Sequence, residues 1–159
     1  MAVSLIGSEA LASGAPSRAQ LPAGTVLQVV QATTTSAAST TSASLVTTGF
    51  SASITPTSAT SKILVSLCGR FYSASSPTDA VIAIYRGGSK IISAKSIYLG
   101  SSPSIAGIQS FQYLDSPATT SSTTYTLYMA SNGTNTFWWL PNPGEAENNG
   151  VIILMEIAA

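Results

Sequence analysis

The sequence predicts an all-β protein, a sandwich or barrel of eight or nine antiparallel strands, and three observations predict it. Apolar residues recur with period two along much of the 159-residue chain, helical spacing is nearly absent, and clusters of Ser, Thr, Pro and Gly interrupt the chain at short intervals. Period two puts alternate side chains on opposite faces of a pleated strand. The clusters are turn chemistry: Gly frees φ, Pro fixes it, and Ser, Thr and Asn bond their own backbone.

Taken in chain order, residues 1–20 (MAVSLIGSEALASGAPSRAQ) read as an extended arm ahead of a single domain spanning 21–159. The arm has no basic stretch leading into a long apolar run, so no secretory leader is expected. The first strand is placed near 25–32 (TVLQVVQA), and a second over LVTTGFSASI, where Val46, Phe50 and Ile54 are in phase. In SKILVSLCGRFY, Ile63, Val65, Leu67 and Phe71 point one way. Lys62, Ser66, Arg70 and Tyr72 point the other, with Leu64 and Cys68 as apolar exceptions. Cys68 has no partner for an intrachain disulfide and is read as a small buried hydrophobe.

AVIAIYRGGSKIIS reads as a hairpin, because Gly87-Gly88 supplies the two positive-φ residues of a type I′ turn. Further strands are placed at 106–114 (AGIQSFQYL), over TTYTLYMA with Tyr125, Leu127 and Met129 on one face, and at 135–140 and 150–157. The last of these, VIILMEI, is apolar on both sides: Val151, Ile153, Met155 and Ile157 on one, Ile152, Leu154 and Glu156 on the other. Such a strand is expected to be central, with one face on the core and the other on a neighbouring layer. Ile152, Leu154 and Glu156 are assigned to a subunit interface. The apolar run VIILM falls far short of the roughly 18 residues that span a bilayer, so no membrane role is expected.

Composition narrows the function. Charged residues make up 8% of the chain, against about 25% in an ordinary globular domain. Mean hydropathy is nevertheless positive, which argues against disorder. Six basic and six acidic side chains cancel. The cations Arg18, Lys62, Arg70, Arg86, Lys90 and Lys95 are scattered, whereas a nucleic-acid binder concentrates them to displace counterions. A net charge near zero offers little self-repulsion and favours association.

With no histidine in the chain, Ser-His-Asp and Cys-His couples and His-containing zinc sites are absent. No P-loop or dinucleotide fingerprint is present. The candidate carboxylates are Asp79, Asp115, Glu145, Glu147 and Glu156. Glu145 and Glu147, beside Asn148 and Asn149, offer oxygen ligands for a Ca²⁺ ion, but the spacing fits no defined loop and a solvated turn is the simpler reading. Glu156 is expected to pair with a basic residue or to lie at an interface rim. No enzyme activity, cofactor or metal is expected. The group Phe137-Trp138-Trp139 should split across two faces, one Trp entering the core and the other facing outward as a protein anchor or sugar platform. The sequon at Asn132 is read as a turn rather than a glycan acceptor.

Segments of the chain resemble a domain of bacteriophage virion proteins, found at tail-fibre ends and on other surfaces of tailed phages of cyanobacteria and marine bacteria. The resemblance rests on LPAGTVLQVVQA, TTSASLVTTGFSASITPTSATSKILVSL, the IYRGGS hairpin, DSPATTSSTTYTLYMAS and the closing ILMEIAA, in that order. It covers roughly residues 21–159 and implies a homotrimeric, jelly-roll-like β-sandwich with a structural or binding role.

Fibre proteins place this domain behind a long shaft, which this sequence lacks. The likeness therefore points to a decoration (cement) protein on the outer head surface, made in the bacterial cytoplasm. Val3, Leu5 and Ile6 of the arm would lie on the major capsid protein or other virion proteins. The alternative is a tail fibre or tail-tip protein that recognises a host surface polysaccharide through Phe137, Trp138 and Trp139.

Overall fold

The computed structural model describes residues 21–73, 79–98, 104–131, 135–140 and 149–159, with the side chains of 79 and 96–98 outside that description. Ten strands follow in order: β1 (Val26–Thr34), β2 (Ala38–Thr40), β3 (Val46–Ile54), β4 (Lys62–Ser73), β5 (Asp79–Arg86), β6 (Ser89–Tyr98), β7 (Ile105–Asp115), β8 (Thr123–Ala130), β9 (Phe137–Trp139) and β10 (Gly150–Ile157). Every pairing is antiparallel. The all-β expectation holds, with one strand more than foreseen. The extra strand is β2, hidden in a Ser/Thr run that reads as turn.

The strands form two sheets. Sheet A carries β1-β10-β4-β9-β2 with β7 on the free side of β4, and sheet B carries β3-β8-β5-β6. Strand β4 organises sheet A because it is twelve residues long and has partners on both edges. Its first half pairs with β10 and its last three residues with β9, while β7 follows it without a register break from Ile63 to Ser73. The hairpin joining β5 and β6 turns at Gly87 (φ 53°) and Gly88 (φ 89°), the conformations that a type I′ turn requires.

The core is the seam between the sheets. Ile63, Val65, Leu67 and Phe71 of β4 meet Phe50 and Ile54 of β3, Ile82 and Ile84 of β5, and Tyr125, Leu127 and Met129 of β8. The sets on β3, β4 and β8 were expected from their phase; the inward pair on β5, Ile82 and Ile84, was not assigned by it. Trp139 is 1% exposed and lies so close to β4 that a Cβ at Gly69 would sit 2.2 Å from its ring. Only glycine fits that position.

Candidate interaction surface

The site builds outward from β10. The strand is central in sheet A, between β1 and β4, as its two apolar faces required. The assignment of those faces is corrected. Ile152, Leu154 and Glu156 are each 0% exposed and look into the chain's own core, so they are unavailable to another subunit. Val151, Ile153, Met155 and Ile157 form the half-buried outer side.

Registry aligns that outer side with its neighbours. Val29 of β1 pairs with Met155, Met155 with Leu64 of β4, and Leu64 with Leu114 of β7. One apolar row thus crosses four strands. Val29 is 57% exposed and Leu114 48%. The next rows along β4 are uncharged: Gln31, Ile153, Ser66 and Gln112, then Thr33, Val151, Cys68 and Ser110. Beyond them Arg70 pairs with Ile108, which is 77% exposed, and Tyr72 stands between Ala106 and Trp138. Lys62 and Arg70 are the charged residues described on this face, and no carboxylate lies on it among the described residues.

Cys68 is exposed in the middle of this surface, which corrects its reading as a buried residue. Its strand phase, shared with Lys62, Ser66 and Arg70, decides its side. The aromatic triplet splits as alternation demands. Phe137 and Trp139 are buried, with Phe137 stacked on Phe71 at 6.3 Å, whereas Trp138 is half-buried on the outer face beside Tyr72. Of the three residues considered for partner contact, Trp138 alone is placed to make one. The Trp139 indole N–H finds no acceptor among the described residues.

The outer face of sheet B has a different chemistry. Thr47, Ser51, Ser53, Thr124 and Thr126 line it, with the Ser53 and Thr124 hydroxyls 2.7 Å apart. Tyr85 and Tyr128 stack on it at 3.8 Å. Hydroxyls on this side keep the layer wettable.

Two carboxylates lie inside the sandwich, in one row of sheet A: Glu156 pairs with Ile63, and Ile63 with Asp115. Asp115 accepts from Arg86 Nη1 at 2.9 and 2.8 Å and from the Tyr125 hydroxyl at 2.8 Å. Burial first, then the hydrogen bond to Asp115 and its charge, push the Tyr125 phenol well above its ordinary range. Among the described residues Glu156 pairs with no basic residue, contrary to expectation, and is held by neutral donors. Its Oε1 accepts from the Thr57 amide at 2.7 Å and the Thr57 hydroxyl at 2.6 Å, and its Oε2 from Gln28 Nε2 at 2.6 Å. Burial alone would raise this carboxyl, but hydrogen bonds from Thr57, Gln28 and Ser61 outweigh it and hold the group at about 2. Both acids are therefore engaged as fasteners.

An open depression of about 330 Å³ lies where Leu21 enters, lined by Leu27, Ala158 and the hydroxyls of Thr57, Ser58, Thr60 and Ser61. The arm residues Val3, Leu5 and Ile6, the pair Glu145 and Glu147, and Asn132 lie outside the described residues. So does the Asp79 side chain. Among the described residues, no helix is long and apolar enough to cross a membrane.

No family model matches the chain. No curated protein matches it either. Among solved structures it is similar to the VP2 subviral particle of infectious bursal disease virus, with a TM-score of 0.44 and 16% identity over 83% of this chain. The match spans 38% of the length of that viral chain.

Proposed function

We propose that the chain is a non-catalytic structural protein of a virus particle, acting by packing against neighbouring virion subunits. The observation that carries this reading is the outer face of sheet A, with an apolar row across four strands and no carboxylate described on it. Exposed apolar surface of that extent on a β-layer marks a contact site rather than a solvent boundary. The likeness of segment order to phage surface domains supplies the context. In the finer form of the proposal the protein decorates the outer head surface of a tailed phage as a homotrimer, with residues 1–20 contacting the major capsid protein.

Imaging particles that carry a labelled chain tests this directly. Hundreds of copies spread over the head are expected, and deletion of residues 1–20 should remove them while the sandwich stays folded. Full occupancy after the deletion overturns the role of the arm, and absence of the chain from particles overturns the function.

One observation favours a second reading. Trp138 and Tyr72 adjoin on the outer face, an arrangement suited to stacking on a sugar ring in a tail-tip protein. A few copies at the tail tip, with adsorption competed by host polysaccharide and lost in Trp138→Ala, would favour that placement.

A further inference from the structure

We infer that the depression beside Arg86, where β5 turns into β6 and the chain runs from β7 into β8, is a binding site for an acidic sugar residue. Its carboxylate would be held by the Arg86 guanidinium. The site belongs to the sheet B hairpin, and neither reading of the chain's place on a particle depends on it.

The uncommitted edge of a fixed cation is the first argument. A guanidinium carries its N–H donors in a rigid plane. Every side-chain bond that Arg86 makes among the described residues starts from Nη1. The acceptors are Asp115 Oδ1 at 2.9 Å, Asp115 Oδ2 at 2.8 Å and the Ser116 carbonyl at 3.2 Å. Nε and Nη2 have no acceptor among those residues. These two nitrogens form the parallel fork that grips a carboxylate through two bonds, and the plane of the group turns them away from Nη1 and Asp115. The Arg86 side chain is 31% exposed, so a ligand can reach it, whereas that of Asp115 is 7% exposed.

The setting is the second. The open depression has a volume of about 290 Å³ and is lined by Arg86 and Gly87 of the hairpin and by Pro117, Thr119, Ser122 and Thr124 of the chain running into β8. That is the lower limit for a small-ligand pocket, roughly 300 Å³, so the site takes one ring rather than a long chain. Apart from Pro117, the side chains around it are hydroxyls and the guanidinium, which suits a polyhydroxylated anion better than an apolar one. The Ser122 hydroxyl makes no hydrogen bond among the described residues. The Thr119 hydroxyl accepts from the Ser121 amide at 3.0 Å and keeps its own proton to donate.

The walls are fixed before any ligand arrives. The Gly87 amide donates to the Thr124 carbonyl at 3.1 Å and ties the hairpin to β8. The Thr123 hydroxyl donates to the Ser121 carbonyl at 3.0 Å, and Ala118 is held at φ 53°, a region that residues with a Cβ rarely adopt. Donors held in place lose little freedom on binding. The charge of Asp115 works against a second carboxylate, so the affinity is modest.

The full chain, labelled with ¹⁵N, reports on the site directly, because Arg18, Arg70 and Arg86 are its only arginines and give one Nε–H signal each. Arg18→Lys and Arg70→Lys assign the Arg86 signal by elimination. Titration with sodium glucuronate at constant ionic strength should move that signal with a dissociation constant on the order of 1 mM, while the other two stay in place. Sodium acetate carries the charge without the hydroxyls, and glucose the hydroxyls without the charge. Each should bind about tenfold more weakly or worse. Ser122→Asp sets a competing carboxylate at the exposed mouth of the depression and should abolish the response, with far-UV circular dichroism showing that the variant folds.

An Arg86 signal that glucuronate does not move overturns the inference. Equal movement of all three arginine signals does so too, because it reports charge screening alone. Acetate or glucose binding as tightly as glucuronate removes the acidic sugar, and an unchanged response in Ser122→Asp removes the depression. A chain that coats particles but ignores glucuronate defeats this inference alone, and a chain that binds glucuronate but is absent from particles defeats the virion reading alone.

Discussion

Asp115 and Glu156 sit two strands apart in one row of sheet A, and the chain stabilises their buried charges by opposite means. Asp115 reaches across the sandwich. Its partners Arg86 and Tyr125 belong to β5 and β8 of sheet B, so the cluster locks the two layers together through an ion pair. Glu156 receives neutral donors among the described residues, from Gln28 on the edge strand β1 and from Thr57 and Ser61 in the segment joining β3 to β4. The difference teaches how a chain with few charges spends its acids. One closes the layers, and the other secures a loop and an edge.

Replacing Asp115 with Ala should have the largest effect. It leaves the Tyr125 hydroxyl without its acceptor and Arg86 with the Ser116 carbonyl alone in place of its carboxylate, and should lower unfolding free energy by about 3 kcal/mol, toward the low end for a broken buried pair because Arg86 is partly solvated. Urea denaturation at neutral pH measures it. Glu156→Gln should cost about 2 kcal/mol, because an amide nitrogen then faces donors that the carboxylate accepted.

The same variant isolates a pH effect. The folded Glu156 carboxyl lies at about 2 against an ordinary 4.5, so its contribution is complete above 4.5 and is lost as pH falls toward 2. The acid-side loss of stability should be shallower in Glu156→Gln than in the wild type. An equal slope in both would remove Glu156 from the account.

Tyr125→Phe removes one of the bonds to Asp115 but keeps the ion pair, and should cost about 1 kcal/mol. Because the folded phenol is pushed upward, its contribution persists below 10 and declines at higher pH as the unfolded chain ionises. Ultraviolet titration of wild type and variant should show one tyrosine that ionises only with unfolding. Gln28→Ala, at a half-buried edge position, should be the mildest change at about 0.5 kcal/mol. If it equals Glu156→Gln, the edge strand rather than the loop is what that carboxylate secures.

Much of this architecture was legible from alternation alone. The inward sets of β4 and β8, the Gly87-Gly88 hairpin and the central place of β10 all follow from period two and turn chemistry. What alternation could not give for β10 was the sign of its faces. Both sides are apolar, and the single ionic residue, Glu156, suggested an outward orientation that Thr57, Ser61 and Gln28 make unnecessary. Those donors are close in space and up to 128 residues away in sequence.

β2 was missed because Ala38, Ser39 and Thr40 carry no apolar pattern, and pairing with Phe137–Trp139 alone makes them a strand. For Cys68 the signal was present. Its phase matches the wet side of β4, and strand phase overrides the general tendency of free cysteines to be buried.

The order in which the ribosome delivers these strands has a consequence. All of sheet B, from Val46 to Ala130, is synthesised before the first residue of β10 appears. β1 emerges far earlier, yet among the described residues its ladder partner is β10, so Val26, Val29 and their neighbours wait for the end of translation to pair there. Assembly of sheet A is therefore a late event set by long-range closure. Until it occurs, the nascent polypeptide is at greatest risk of sticking to its neighbours on the polysome.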